Sequence, residues 1–246
     1  MKKKLFAMLM AAAMVFGMTA CGGGESADTT AETTGEETQL EDFTVVLDWY
    51  PNAVHAFLYD AMEKGYFAEE GLNLVVQFPA NTNDGISLPA ARKADAGVYY
   101  MQDVILTSVE EDIPIVSFGA ITQKSMNVVI SLKDSGITEA KDLAGKKIGY
   151  AGTVLSEAQI QAMLADAGLS ADDCECIDVG FDLMSALTTG QVDATIGNMV
   201  NHEVPQMEEQ GFEVNYFYPT DFGVPQGYEL VFLANKDAIN ENPEKY

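Results

Sequence analysis

Aromatic and acidic side chains recur where short apolar runs of this chain begin or end. Trp49 and Tyr50 follow the first run, Tyr99 and Tyr100 end the third, and Tyr228 and Glu229 open the last. Such faces give a flat ligand a large contact area at low entropic cost, and a few polar groups beside them fix its orientation. Strand alternation lets only one of Tyr99 and Tyr100 face a cleft. Trp49, the one tryptophan, can equally anchor a core. Gly152-Thr153 forms a turn after a strand at 147–150, at the carboxyl end where open α/β sheets bind ligands. No Ser/His/Asp arrangement or paired-acid motif stands out, so no catalytic residue is assigned. Cys174 and Cys176 lie two apart on one strand face, and without a second Cys/His cluster they predict neither a metal site nor a disulfide framework.

The elements that must position these residues alternate between strand and helix. Strands are predicted at 43–47, 72–78, 96–100, 115–120 and 126–131, then at 147–150, 175–179, 193–197, 213–218 and 229–234. Helices are predicted near 53–64, 101–111, 156–167, 182–189 and 201–210, the third opened by a capping box at Ser156 to Gln159. Alternation of this kind argues for α/β layers with mainly parallel sheets. Gly85 and Pro89 interrupt the segment 84–93, which is expected to be short, broken or kinked.

Lys2 to Lys4 precede an apolar run from Leu5 to Met18, long enough for a signal peptide and too short to span a bilayer. It ends at Met18-Thr19-Ala20-Cys21, which resembles the lipobox of bacterial lipoproteins, so residues 1–20 are expected to be removed and Cys21 lipidated. Residues 21–42 are Gly, Ser, Thr and acid with almost nothing to bury, and read as a flexible tether. The whole chain carries a net charge of −25, and about −28 without the three signal lysines. No basic cluster remains and Arg92 is the one arginine, which excludes nucleic acid as a partner.

Four stretches, Leu47–Leu72, Asp134–Gly152, Val179–Glu203 and Phe222–Asn235, resemble the NMT1/THI5-like family. The motifs are DWYPN, GITEAKDLAGKKIG, the run from GFDL through VDA to NHE, and GYELVFLAN. The resemblance implies a type II periplasmic-binding-protein fold, two α/β lobes around a ligand cleft: lobe one at 43–130 and 221–246, lobe two at 131–220. Relatives continue for several helices beyond Tyr246, so the chain is expected to be truncated at its C-terminal end.

The implied function is that of a substrate-binding lipoprotein of an ABC importer. It would be monomeric and extracytoplasmic, lipid-anchored to the bacterial cell membrane, and would work with permease and ATPase subunits. The ligand would be a small heterocycle such as a hydroxymethylpyrimidine or formylaminopyrimidine precursor of thiamine. Riboflavin, or an oxyanion of the sulfonate or nitrate type, is the alternative, the oxyanion disfavoured by the scarcity of positive charge. The motifs nominate Asp48 and Asn52 for ring nitrogens or an amino group, with Asn198, Asn201, His202 and Glu203 from the other lobe. Glu203 can equally be a first-turn helix acid, and His55 a structural histidine or a contact. Where many relatives carry an aromatic pair, this chain has Met199-Val200. The family also contains a pyridoxal-phosphate-dependent synthase. Aligned through Ala94 to Gly97, its cofactor lysine falls on Tyr99 and its essential histidine on Asp103, so no cofactor and no enzymatic activity are expected.

Overall fold

Ala96 to Tyr100 is buried at all five positions, the pattern of a strand covered on both faces. The computed structural model of the chain describes residues 39–246. In it this strand, β3 (Ala96–Tyr100), lies between β1 (Glu41–Val46) and β10 (Leu230–Asn235). Outside these run β2 (Leu72–Gln77) and β4 (Ile115–Ala120), giving the order β2-β1-β3-β10-β4. Strands β1, β2 and β3 are parallel, and β10 runs antiparallel to both neighbours. The second sheet repeats the plan with β7 (Glu175–Asp178), β6 (Lys147–Tyr150), β8 (Ala194–Met199), β5 (Asn127–Leu132) and β9 (Val214–Phe217), in that order. Here β5 is the antiparallel member. This is the two-lobed α/β architecture that the sequence implies.

Helices α1 (Ala56–Glu63), α2 (Tyr66–Glu69), α3 (Asp84–Ala90), α4 (Met101–Val109) and α8 (Lys236–Glu241) belong with the first sheet. Helices α5 (Val154–Asp166), α6 (Leu183–Thr188) and α7 (Glu203–Glu209) belong with the second. Alternation along β5 explains how that sheet is covered: Val129 packs with Ile148, Met163 and Leu164 on one face, while Val128 and Ile130 pack with Leu187 and Met207 on the other. Leu155 and Met199 from the second lobe are buried in the first lobe's core.

Two expectations are corrected and a third holds. Residues 126–130 are expected in lobe one, but β5 pairs with β8 and β9, so the crossover is the segment before it, at 121–126, rather than a break at 130/131. Helix α5 begins at Val154, because Thr153 rather than Ser156 is its N-cap: Thr153 Oγ1 accepts the Ser156 N–H at 3.1 Å. The segment 84–93 is short, as expected: one helix of seven residues that holds both its glycine and its proline. Pro89 has no N–H to offer the Gly85 carbonyl, and that carbonyl lies so close to Gly97 that a Cβ there would meet it at 1.8 Å. The two glycines therefore let α3 pack against β3 backbone to backbone.

Cys174 and Cys176 are free thiols with Sγ atoms 3.9 Å apart. The signal segment, Cys21 and the tether up to residue 38 lie outside the described residues. Strand β1 starts at Glu41, two residues ahead of the expected Phe43, with Glu41 in register with Leu72. Among the described residues no helix is long and apolar enough to cross a membrane.

Gly97→Ala forces α3 off the sheet. It should lower the free energy of unfolding in urea by about 1–3 kcal/mol, the usual cost of overpacking, whereas alanine at Gly119, whose Cβ would meet Phe232 at an ordinary 3.5 Å, should cost far less.

Candidate functional site between the lobes

The loop after β1 supplies Asp48, Trp49, Tyr50 and Asn52. Asn52 caps the turn that opens the following helix, its Oδ1 accepting the Val54 N–H at 2.9 Å. Its own N–H donates to His55 Nδ1 at 3.3 Å. Nδ1 is thus the acceptor, Nε2 carries the hydrogen, and it donates to Asp48 Oδ1 at 2.8 Å. Both members of this pair are buried. Trp49 and Tyr50 reach across to Phe181, which lies between β7 and α6 in the other lobe, with ring centroids 4.7 Å and 5.2 Å away.

The two tyrosines at the end of β3 part company. The Tyr99 hydroxyl turns to the start of α3, donating to Thr82 O and Asn83 Oδ1 at 3.0 Å and 2.7 Å. Tyr100 is buried where the charges of Asp48, Glu229 and Glu203 all reach it, so its hydroxyl is held well above the usual phenol range, by burial first and by those charges second. One turn on, Asp103 Oδ1 accepts the Leu155 N–H at 3.1 Å, a bond from α4 of one lobe to the first turn of α5 in the other. Burial raises the Asp103 carboxyl to about 6, against the pull of that N–H.

From the second lobe, Glu203 is the first residue of α7 and its Oε2 accepts the Met199 N–H at 2.7 Å. Burial pushes its carboxyl up to about 7, with Asp48's charge adding to the rise and the Met199 N–H opposing it. His202 lies 3.6 Å from Glu203 and is lowered by burial and by His55. Glu229 ends the returning crossover and accepts the N–H groups of Met126 and Asn127 from the other crossover. Its carboxyl is raised, by burial above all.

The structure therefore gathers Asp48, His55, Tyr100, His202, Glu203 and Glu229, and sets Trp49 and Tyr50 against Phe181. Other sequence candidates stand apart. Asn198 turns into its own lobe, donating to Thr195 O and Oγ1, both at 3.0 Å. Gly152 takes φ +68, and a Cβ there would meet the Asp178 carboxylate at 2.7 Å; Thr153 is occupied as a cap. Asn201 borders an open cavity beside Phe57 and Tyr218, and Tyr228 is half-exposed at the crossover. Sequence reasoning did not assign Phe181 or Asp103 to the site. Asp103 carried a signal, an acid one turn into a helix that follows a buried strand; Phe181 had only its place in a loop beside Gly180.

The profile of the NMT1/THI5 like family matches residues 52–246. The formylaminopyrimidine-binding protein of Halalkalibacterium halodurans is 39% identical over 212 residues, covering 86% of this chain and 64% of that protein. The 4-amino-5-hydroxymethyl-2-methylpyrimidine phosphate synthase of Aspergillus parasiticus is 30% identical over 217 residues, covering 83% and 62%. Among solved structures, the periplasmic aliphatic sulphonate binding protein SsuA of Escherichia coli superposes with a TM-score of 0.60 at 17% identity, over 82% of this chain and 68% of that one. That is a likeness of fold alone. The chain spans a little under two thirds of the length of these two curated relatives.

Glu203 and Asp103 keep protons in the folded state that the unfolded chain releases, since their carboxyls rise from 4.5 to about 7 and from 3.8 to about 6. Stability should therefore fall as pH rises from about 4 to about 7 and level off above. Glu203→Gln keeps an acceptor for Met199 and removes the larger part, so urea unfolding should show a flatter profile and a gain of about 1–3 kcal/mol at pH 7.5. An unchanged slope would sink this assignment.

Proposed function

The chain belongs to the NMT1/THI5-like family, and from that premise we propose that it is the solute-binding component of an ABC importer, holding a small amino-bearing heterocycle between its lobes. The observation that carries this reading is the convergence of Asp48, Glu203 and Glu229 around Tyr100, with Trp49 and Tyr50 facing Phe181. A carboxylate accepts from an exocyclic amine or a protonated ring nitrogen, and such charge-assisted bonds are the strong ones. Near its raised value Glu203 can either accept or donate, which suits a ring that offers N–H beside an unprotonated nitrogen. An oxyanion would meet acids where it needs donors, so the sulfonate and nitrate alternatives are disfavoured on charge.

The name of the bacterial relative supports a pyrimidine as the heterocycle. The fungal relative is named a synthase, but we read this chain as a binder. On the family resemblance through Ala94 to Gly97, the synthase's cofactor lysine falls on Tyr99, and a phenol cannot form a Schiff base. The structure is consistent with this, as the Tyr99 hydroxyl is held by Thr82 and Asn83.

Delivery follows from lobe closure. The Asp103 to Leu155 bond and the Trp49–Phe181 contact both cross between lobes, so a ligand that favours this arrangement favours the form a permease docks. The lipobox-like sequence at Cys21 supports an extracytoplasmic, membrane-anchored protein.

Thermal denaturation tests the reading against hydroxymethylpyrimidine, its formylaminomethyl analogue, riboflavin, taurine and nitrate. A ligand at 100 times its Kd adds about 2.7 kcal/mol. A pyrimidine should shift the transition, and Asp48→Asn should weaken that binding about tenfold or more, the worth of one charged hydrogen bond. A shift with taurine or nitrate alone would move the chain to the oxyanion importers, and a shift with riboflavin alone to the flavins.

A further inference from the structure

Strand β7 opens on a run of acids and thiols, Asp172-Asp173-Cys174-Glu175-Cys176, at the edge of the second sheet. Cys174 is already extended, at φ −143 and ψ 166, although the strand proper begins one residue later. Extension turns positions two apart to the same side, and the two Sγ atoms come within 3.9 Å. Cys174 is half-buried against the core of that lobe, and Cys176 is exposed. The backbone is held on both sides of Cys174. Gly145 N–H donates to Asp173 O at 2.6 Å and Glu175 N–H to Lys146 O at 2.9 Å, after which Cys176 stands in register with Ile148. The sheet, rather than a free loop, sets the two thiols side by side.

Length decides between two uses of such a pair. A disulfide joins Cα atoms roughly 4.4–6.8 Å apart, most often near the middle of that range, whereas two rises of extended chain set them about 6.6–6.8 Å apart. Closing that bond would pull the chain away from its hydrogen bonds to β6. A bridging ion asks for no such movement. Two metal–sulfur bonds of about 2.3 Å meet across 3.9 Å at an angle of about 115°, close to that of a three-coordinate centre. Among the described residues no third Cys, His, Asp or Glu joins the pair, so the four-ligand shell of structural zinc is not available. Soft thiolates select Cu(I), which is satisfied by two or three sulfur ligands. The flanking Asp172, Asp173, Glu175 and Asp178 outnumber Lys146 and Lys147 alongside and favour a cation there.

We infer that Cys174 and Cys176 form a binding site for a soft, thiol-seeking metal ion, Cu(I), held by the two thiolates with its third position open to an incoming sulfur ligand. Binding exchanges two S–H protons for two Cu–S bonds, and the copper keeps its oxidation state. The exposed Cys176 and the open edge of β7 leave the ion reachable from solvent. The site stands at the amino end of β7, whereas Phe181, which meets Trp49, follows the carboxyl end of the same strand. The inference is therefore independent of what the cleft binds.

Cu(I) itself is the probe, supplied without oxygen as its acetonitrile complex to the full chain carrying Cys21→Ser, which leaves 174 and 176 as its only cysteines. Competition against the chelator bicinchoninate reads the affinity. The chain should withdraw one Cu(I) per molecule, and excess Mg(II) should not displace it. Cys174→Ser and Cys176→Ser should each weaken the ion by about a hundredfold or more, the upper end of what losing a mere supporting residue costs. Each variant is first checked for a cooperative thermal transition; if Cys174→Ser lacks one, the exposed Cys176→Ser decides alone. The inference is overturned if Cu(I) stays with the chelator, if Mg(II) displaces it, or if a folded serine variant holds it as tightly. It is equally overturned if one ion is shared between two chains, or if 174 and 176 are recovered joined as a disulfide from protein kept in air.

Discussion

Three carboxylates buried within reach of one another's charge are costly, and the centre of this molecule is arranged around making them tolerable. Each is handled differently. Asp48 receives a hydrogen from His55, whose ring is oriented in turn by the Asn52 backbone. Glu203 takes a backbone N–H from its own loop and is raised far enough to hold a proton near neutrality. Glu229 takes two N–H groups from the opposite crossover. Buried charge stays only where donors or protons meet it, and the donors here come from strand ends, the turn after β1 and a crossover. The sheets exist to hold those loops face to face.

The crossovers are bound to each other as well as to Glu229. Glu229 N–H donates to Thr122 O at 2.8 Å, and Ile121 N–H to Leu230 O at 2.9 Å. Two separate chain passages thus make one hydrogen-bonded ribbon between lobes, which opposes twisting of one lobe against the other and leaves bending as the softer motion. Asp103 and the Trp49–Phe181 contact lie outside the ribbon and bridge the lobes directly.

Much of this was legible in the sequence, and the part that was not has a common cause. Periodicity found every strand within a residue or two, since burial on one face or two is a local pattern. Strand ends also gave Tyr100, at the carboxyl end of β3, and Glu229, just before β10, because a strand's end is a position that chain order alone supplies. What could not be read were relations between segments far apart. Gly85 looked like a helix breaker until Gly97 was seen against it. Phe181 looked like any loop aromatic until it met Trp49, 132 positions earlier. The lobe boundary fell on the wrong side of 126–130 because strand pairing, unlike strand formation, leaves no local mark.

The order in which the strands become available follows from the sheet plan. Every strand of the second sheet lies within one continuous stretch, 127–217, so that lobe can close its sheet as soon as its own residues have left the ribosome. The first sheet cannot. Among the described residues strand β4 pairs only with β10, and β10 is made more than a hundred residues later. Until then β4 is a bare edge and β3 is open on one side, a state prone to pairing with the wrong chain. The chain is thus built inside out: the inserted lobe can be finished first, and the lobe that began it waits on its last strand.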